Sequence, residues 1–312
     1  MRLCVFTEPQ MGATYEDQLA IAQRAEQLGF EGFFRSDHYL TTLGDGLPGP
    51  TDSWVTLGAL ARETSTIRLG TLMTSATFRH PGPLAIAIAQ VDAMSGGRVE
   101  VGLGAGWFER EHTAYGIPFP PVGERFDRLG EQLEILTGLW STPAGSAYNF
   151  QGRYYDLVDS PALPRPVQQP GPPVIIGGKG AKRTPRLAAR YADEFNVPFT
   201  TLAETNGQYQ RVVEAIEHEG RDGRAPIVFS FAQTIVCGTT EAEVRRRAEA
   251  AGLDPNGPRE RGGQLYGTPA HIADQLHEFV KLGASRAFLQ VLDMRDLEHL
   301  ELIAAEVAPL LP

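Results

Sequence analysis

Short apolar runs alternate with helix-like runs within the first hundred residues of this chain, and this order restricts the fold more than any other feature. The apolar runs, which are typical of buried strands, cover 3–8, 32–38, 67–76 and 98–106. Between them, apolar residues recur three and four positions apart, which predicts helices over 14–29, 53–65 and 83–95. Strands that are each followed by a helix indicate a parallel sheet.

The same alternation continues to the end of the chain. Further strands are predicted at 172–178, 193–198, 226–236 and 286–292. A proline-rich segment near 142–172 is interpreted as an insertion that forms a hairpin, and a segment rich in glycine and proline, 252–267, as a loop. Eight strands with intervening helices predict an α/β fold, a (β/α)₈ TIM barrel, as a single domain over 1–312 with insertions near these two segments.

The charge and hydropathy of the chain exclude several classes of partner. Its formal net charge of −10 opposes general binding to nucleic acid or to an anionic membrane surface. No apolar run reaches the roughly 18 residues of a membrane helix, and the first residues read directly as a strand. The cysteines, Cys4 and Cys237, are too few for a thiolate cluster, and the histidines form no metal-binding motif. We therefore expect a cytoplasmic protein without a metal, a nucleic-acid partner or a membrane segment.

The stretch VEVGLGAGWFERE, 99–111, ends the fourth predicted strand with three glycines. A dinucleotide fingerprint needs the spacing GxGxxG on the first strand of its unit. Here the spacing is GxGxG, and Trp107 stands where the fingerprint has its last glycine. Two interpretations remain: a tight turn between strand and loop, or glycines that let a flat ligand approach the backbone.

A second glycine-rich stretch, IIGGKGAKRT at 175–184, is a candidate phosphate site. Its glycines lie where a strand passes into a helix, so that backbone N–H groups and the helix dipole favour an anion. Basic side chains add positive charge in an otherwise acidic protein: Lys179, Lys182 and Arg183. The alternative is a glycine turn that leads into a basic, solvated helix.

Asp37 and His38 follow the second predicted strand, at the end of the barrel that carries active sites. A histidine in this position can act as a general acid or base, whereas a lone histidine elsewhere is more often structural. The GxSxG motif of serine hydrolases is absent from the sequence. Asp37 and His38 are therefore the candidate catalytic residues.

Taken together, these stretches are similar to the luciferase-like monooxygenase superfamily over nearly the whole chain. The segments that carry the resemblance are GFFRSDH, the long run from IRLGTLMTSATFRH to GWFEREHTAYGIPFP, ERFDRLGEQLEIL, PPVIIGGKG and RLAARYADEFN. The resemblance is closest to the branch of F420-dependent oxidoreductases. It implies a TIM barrel that binds coenzyme F420, with FMN as the alternative cofactor, and a homodimer.

The resemblance also assigns expected roles to residues of this chain. Asp37 and His38 would border the cofactor ring, and a cis peptide at Leu72–Met73 would lie under it. Thr74 would hydrogen-bond the ring edge, and Ala105 and Gly106 would line the cofactor. The phosphate tail would be held by the glycine loop: Gly177, Gly178, Lys179 and Gly180.

One position departs from the relatives that oxidise sugar phosphates. They carry an acidic residue directly after the G-x-G of the fourth strand, where this chain has Trp107. Neither their acid nor their substrate can therefore be transferred to this chain. Trp107 is expected to form an apolar wall of the substrate pocket, and Glu109 is the nearest candidate acid.

The function that the resemblance implies is hydride transfer between F420 and a small organic substrate, with the reduced cofactor supplied by a separate reductase. Three alternatives remain open from the sequence. The first is an FMN-dependent monooxygenase that uses reduced flavin and oxygen. The second is a non-catalytic flavin-binding protein, whose mouth would be plugged by 40–52 or 252–267. The third is a metal-free aldolase or isomerase with Lys179 as its amine.

Overall fold

The computed structural model of the protein describes residues 1–221, 223–254 and 263–312. In chain order the strands are β1 (Arg2–Thr7), β2 (Gly32–Arg35), β3 (Arg68–Ser75), β4 (Val99–Gly104), β5 (Tyr148–Gln151), β6 (Asp156–Ser160), β7 (Val174–Gly177), β8 (Glu194–Pro198), β9 (Val228–Cys237), β10 (Gln264–Gly267) and β11 (Arg286–Gln290). Parallel pairing runs β1-β2-β3-β4-β7-β8-β9-β11 and returns to β1, which closes a barrel of eight strands. This is the predicted (β/α)₈ TIM barrel.

The helices follow the strands in the predicted alternation. They are α1 (Tyr15–Gln27), α2 (Ser53–Glu63), α3 (Pro81–Ser95), α4 (Glu109–Ala114), α5 (Val122–Ser141), α6 (Arg183–Tyr191), α7 (Leu202–Glu219), α8 (Glu241–Ala250), α9 (Pro269–Lys281) and α10 (Leu297–Leu302). A π-helical turn, Ile303–Val307, continues α10. None of the described helices combines the length and the apolar character that a membrane crossing requires.

Side-chain caps explain where several helices begin. The Thr14 hydroxyl accepts the Asp17 N–H at 3.1 Å and the Asp17 carboxylate accepts the Thr14 N–H at 2.9 Å, which forms a complete capping box at the start of α1. At α8 only half of such a box forms. Thr240 accepts the Glu243 N–H at 3.2 Å, but the Glu243 carboxylate accepts from Thr239 instead.

Two insertions depart from the regular alternation. The segment near 142–172 contains the antiparallel pair β5–β6, which is the expected hairpin. The segment 252–267 was expected to be a loop throughout, and this is wrong at its C-terminal end. Residues 264–267 form β10, parallel to the second half of β9, because β9 extends beyond the barrel and offers a free edge there. Residues 255–262 lie outside the described residues.

Apolar side chains fill the barrel interior, and charged side chains lie at its base. The inward-facing core consists of Cys4, Phe6, Phe34, Leu72, Ile175, Ala232 and Phe288. The rings of Phe34 and Phe288 meet edge to face with centroids 4.8 Å apart. Beneath them Arg286 is bound by Glu100 and Glu194. This packed base leaves open space only toward the carboxyl ends of the strands.

Candidate active site

A cavity of about 530 Å³ lies at the carboxyl ends of the barrel strands. Of the residues singled out from the sequence, Glu109, Lys182 and Arg183 do not line it, and it brings together the others: Asp37, His38, Leu72, Met73, Thr74, Ala105, Gly106, Trp107, Gly177, Gly178, Lys179 and Gly180. It is also lined by acidic and aromatic side chains to which the sequence gave no role, among them Glu8, Glu111 and Phe199.

The floor of the cavity is an irregular part of β3. The Leu72–Met73 peptide is cis, as expected, and the pairing of β3 with β4 shifts register between Thr71 and Thr74. The Met73 side chain extends from this bulge toward the neighbouring strands. A Cβ added at Gly104 would lie 3.2 Å from Met73 Sδ, and one at Gly177 would lie 2.8 Å from Met73 Cε. The glycines are needed here because the bulge occupies the space of their side chains.

This packing answers the question raised by the glycines of β4. A Cβ at Gly102 would collide with the Thr71 carbonyl oxygen, and one at Gly106 with the Ser75 hydroxyl oxygen. Gly106 also has φ +80°, a left-handed conformation that favours glycine. The glycines of β4 are therefore needed for its close packing against β3. This is a third explanation of the GxGxG spacing, beside a tight turn and the close approach of a flat ligand.

His38 is held by a residue that the sequence did not single out. Its Nδ1 lies 2.9 Å and 3.0 Å from the two carboxylate oxygens of Glu111, a buried side chain on α4. Glu111 also accepts the backbone N–H of Tyr39 at 3.0 Å. Since a carboxylate only accepts, Nδ1 must carry the proton, and Nε2 remains for the cavity.

The electrostatic surroundings of His38 favour its charged form. Burial alone would lower the pKa of His38. The hydrogen bond to Glu111 and the negative charges of Glu8, Glu111 and Asp37 outweigh burial, and the pKa of His38 is raised above its ordinary value. His38 can therefore hold a proton at the cavity wall at a higher pH than an exposed histidine does.

Asp37 is buried in a cluster centred on Arg79. The Arg79 guanidinium donates to Asp37 Oδ2 at 2.5 Å, to Asp52 Oδ2 at 2.6 Å and to the Tyr39 hydroxyl at 2.8 Å. Asp52 also accepts from the first N–H groups of α2, so the cluster fixes the start of that helix. The Asp37 carboxylate thus has a cationic partner on the side away from the cavity.

Thr74 lines the cavity, and its hydroxyl forms hydrogen bonds within the protein. Its hydroxyl accepts the indole N–H of Trp54 at 3.2 Å and donates to the Thr71 hydroxyl at 3.2 Å. The side chain is fully buried between β3 and α2. Its hydrogen bonds therefore hold the bulge of β3 in place, and the expected bond to a cofactor ring stays a prediction.

The glycine loop at 177–180 lies at the other end of the cavity. Gly178 has φ +136°, and a Cβ at Gly180 would lie 2.6 Å from the Thr184 hydroxyl oxygen at the start of α6. Of the basic side chains, Lys179 donates to the Phe199 carbonyl at 2.9 Å and Arg183 binds Asp127. An anion at this end would be held by backbone N–H groups, the Thr184 hydroxyl and the dipole of α6.

Glu109 and Glu111 illustrate what the sequence could and could not locate. Glu109 is exposed on the first turn of α4 and does not line the cavity, whereas Glu111 is buried against His38. Two residues apart on a helix point in nearly opposite directions, so that one of the two had to face inward. The sequence therefore indicated that one of the two glutamates faces inward, but not which one.

The residues of the cavity could hold a flat ring with an anionic tail. Its floor is the bulge at Leu72–Met73, glycines of β4 and β7 line its walls, and the glycine loop at its far end could hold an anion. No group of three or more His, Cys, Asp or Glu side chains that could hold a metal ion occurs within the described ranges of the chain.

Comparison with known proteins shows which family the chain belongs to. The sequence profile of the luciferase-like monooxygenases matches residues 1–261. The F420-dependent glucose-6-phosphate dehydrogenase of Microbacterium testaceum is 38% identical over 173 residues, 55% of this chain and 49% of that protein. The F420-dependent hydroxymycolic acid dehydrogenase of Mycobacterium tuberculosis is 35% identical over 181 residues, 56% of this chain and 47% of that protein. The alignments thus span about half the length of these relatives.

Solved structures share the whole fold at low sequence identity. An F420-dependent secondary alcohol dehydrogenase in complex with an F420-acetone adduct has a TM-score of 0.84 at 19% identity, over 100% of this chain and 99% of that one. The FMN-bound oxygenating constituent of 3,6-diketocamphane monooxygenase from Pseudomonas putida has a TM-score of 0.77 at 21% identity, over 100% and 99%. With the profile match over most of the sequence, the chain belongs to the luciferase-like monooxygenase family.

Proposed function

We propose that this protein is an oxidoreductase that binds coenzyme F420 in the cavity at the barrel mouth and catalyses hydride transfer to or from a small organic substrate. The observation that carries the proposal is the pair of His38 and Glu111 beside a cavity that fits a flat ring with an anionic tail. The relatives at 35–38% identity that are named as F420-dependent dehydrogenases support the choice of cofactor.

When bound, the deazaflavin accepts or supplies a hydride, and the protein contributes orientation, exclusion of water and proton transfer. The His38 imidazole would hold a proton at Nε2 for the oxygen of the substrate, with Glu111 keeping the ring in place through Nδ1. Gly177, Gly178 and Gly180 would hold the phosphate tail, and Leu72 and Met73 would lie beneath the ring. Asp37 would border the ring while bound to Arg79.

Titration of the apoprotein with F420 and with FMN, followed by absorbance and fluorescence, tests the cofactor. We expect F420 to bind in the micromolar range and FMN at least tenfold more weakly. Micromolar binding of FMN without binding of F420 would replace the proposal with its rival, an FMN-dependent monooxygenase, for which the FMN-bound structure of the same fold provides the precedent. Binding of neither cofactor would contradict both.

The remaining expectations from the sequence stay proposals. A homodimer and a separate reductase are each testable in solution, by sedimentation and by coupled reduction. For the aldolase alternative, Lys179 would need a free amine in an apolar setting, yet it is exposed and donates to a carbonyl. For the non-catalytic alternative, the described mouth retains its cavity, and residues 255–262 of the second proposed plug lie outside the described residues.

A further inference from the structure

A second cavity of about 380 Å³ adjoins the first and forms its outer chamber. The two share Glu8, His38, Trp107 and Phe199, so these side chains surround the opening between them. Under the proposed function, on which this inference rests, the cofactor occupies the inner cavity. The substrate then lies in the outer chamber, within reach of His38.

Glu8 is the centre of a buried hydrogen-bond network across this opening. Gln10 Nε2 donates to Glu8 Oε2 at 2.6 Å, and Gln290 Nε2 donates to Glu8 Oε1 at 2.9 Å. Each amide oxygen in turn accepts a hydroxyl: the Ser36 hydroxyl donates to Gln10 at 2.7 Å, and the Thr234 hydroxyl to Gln290 at 2.5 Å. All five side chains are more than nine-tenths buried.

The direction of these bonds fixes Glu8 as an acceptor. Because each amide oxygen accepts from a hydroxyl, each amide nitrogen points at the carboxylate, and a reversed amide would set its oxygen against an oxygen of Glu8. Glu8 therefore accepts at both oxygens and needs no proton of its own. A carboxylate can accept about four hydrogen bonds, so it retains capacity for a donor that enters the chamber.

Glu8 differs from the other carboxylates at the mouth in what balances its charge. Asp37 is bound to Arg79, and Glu111 to His38. Within the ranges that the structure describes, the partners of Glu8 are neutral amides, and neither Lys nor Arg lines the outer chamber. The negative charge of Glu8 therefore acts on groups that enter the chamber.

The walls of the same chamber are aromatic. Trp107 is 65% exposed, stacks on Phe108 with ring centroids 5.0 Å apart, and meets the His38 ring edge to face. Phe199 faces it from the loop after β8, with its ring centroid 6.5 Å from that of Phe6. A substrate between Trp107 and Phe199 would bury an apolar face there.

We propose that the outer chamber selects an uncharged or cationic substrate that has an apolar face and a hydroxyl or amino donor, and that Glu8 rejects phosphorylated and carboxylate compounds. The donor binds the free acceptor positions of Glu8, while the reacting carbon lies between His38 and the inner cavity. Among the described residues of the chamber, neither Lys nor Arg offsets the repulsion between an anion and the Glu8 carboxylate, and the charge of His38 is already balanced by Glu111. The substrate class thus differs from the sugar phosphate in the name of the Microbacterium relative.

Three probes with one ring and different charges test this assignment: benzyl alcohol, benzylamine and benzoate. Their dissociation constants are measured by ligand-observed NMR on the F420-loaded protein, and on apoprotein in saturating inorganic phosphate, which occupies the glycine loop. We expect benzoate to bind at least tenfold more weakly than the other two. In Glu8→Gln the difference should fall below threefold, whereas Glu217→Gln, an exposed carboxylate on α7, should preserve it.

The wild-type ranking alone decides the proposal, even where Glu8→Gln fails to fold. Benzoate binding as tightly as benzyl alcohol, or glucose 6-phosphate binding more tightly than glucose, would overturn it. A ranking that Glu8→Gln leaves unchanged would overturn the role of Glu8. F420 affinity is measured separately from this ranking. Loss of F420 binding with an intact ranking therefore contradicts the proposed function alone. Normal F420 binding with a reversed ranking contradicts this inference alone.

Discussion

His38 Nδ1 lies 2.9 Å from Glu111 Oε1, although the two residues are 73 positions apart in the sequence. Replacing this carboxylate with an amide, in Glu111→Gln, removes the charge that favours the imidazolium while keeping the shape of the side chain. We therefore expect the pKa of His38 to fall in the variant. Titration of the His38 ring protons by NMR, in the apoprotein, measures this directly.

The same substitution has a pH-dependent effect on stability. Because the folded-state pKa of His38 is raised, the pair stabilises the protein fully below the unfolded-state pKa, about 6.5, and the contribution is lost as pH rises through the folded value. Glu111→Gln should thus lower the free energy of unfolding more at pH 6 than at pH 8.5. Glu109→Gln, on the exposed side of α4, is the matched control, and an equal effect from both variants would refute the assignment.

Substitution of Gly177 tests whether the close approach of the Asn196 backbone and the Met73 side chain to this residue shapes the cofactor cavity. A Cβ at Gly177 would lie 2.7 Å from the Asn196 carbonyl oxygen and 2.8 Å from Met73 Cε, so that β7, β8 or the floor must move. We expect Gly177→Ala to weaken F420 binding at least tenfold and to lower the melting temperature. Both are measured by titration and thermal unfolding.

Gly207 provides the matched control for this substitution. It lies within α7, and a Cβ there would meet nothing within 4 Å. Alanine at a helix-interior glycine stabilises by about 1 kcal/mol, so Gly207→Ala should raise the melting temperature and leave F420 affinity unchanged. Unaltered F420 binding by Gly177→Ala would show that the cavity tolerates the shift.

The barrel and the location of its site could be predicted because both depend on local periodicity. Apolar runs of strand length and helical spacing set the order of elements, and residues such as Asp37 and Gly178 follow directly after the strands. The fold then determines that these ends meet. Strand β10 was missed because its four residues follow a glycine-rich segment and pair only with the overhang of β9.

The partners of the site residues could not be predicted in the same way. The contacts of His38 with Glu111, of Asp37 with Arg79 and of Glu8 with Gln290 join segments far apart in the sequence. Each depends on which face of a helix or loop is turned inward, and periodicity in a polar segment carries little information on that. The glycines of β4 suggested a tight turn or the approach of a ligand, whereas their contact with the bulge of β3 could not be read from the sequence.

Arg286 balances the charge at the base of the barrel. Its guanidinium lies 2.5 Å from Glu100, 2.7 Å from Glu194 and 2.8 Å from Glu31, and its side chain is buried. Burial alone would raise the pKa of Glu100, but the charges of Arg286 and Arg68 outweigh it, and the pKa is lowered.

Removal of this cation should be severe because it takes the cationic partner from buried Glu194 and leaves Glu100 with Arg68 alone. We expect Arg286→Met to lower the free energy of unfolding by about 3–5 kcal/mol in urea denaturation at pH 7. Arg295→Met is the control: Arg295 pairs with Asp17 at 2.9 Å on the surface and should contribute no more than about 1 kcal/mol. Similar losses from the two variants would contradict the role given to Arg286.

His299 should make the fold sensitive to mild acid. The side chain is buried, and its Nε2 accepts the backbone N–H of Cys237 at 3.0 Å, which a protonated ring cannot do. Burial, together with the positive charge of Arg247, lowers the pKa of His299 to about 4. Between the unfolded value of about 6.5 and this folded value, the unfolded state binds more protons, so stability is lost as pH falls through that window.

His299→Gln removes this titration while offering a carbonyl oxygen to the same N–H. From pH 7.5 to pH 4.5 the wild-type protein should lose about 2–3 kcal/mol more unfolding free energy than the variant, since each unit of pKa difference corresponds to about 1.4 kcal/mol. Urea denaturation at the two pH values gives the four free energies needed. Because groups common to both proteins cancel in this comparison, an equal loss in both would mean that folding does not lower the pKa of His299.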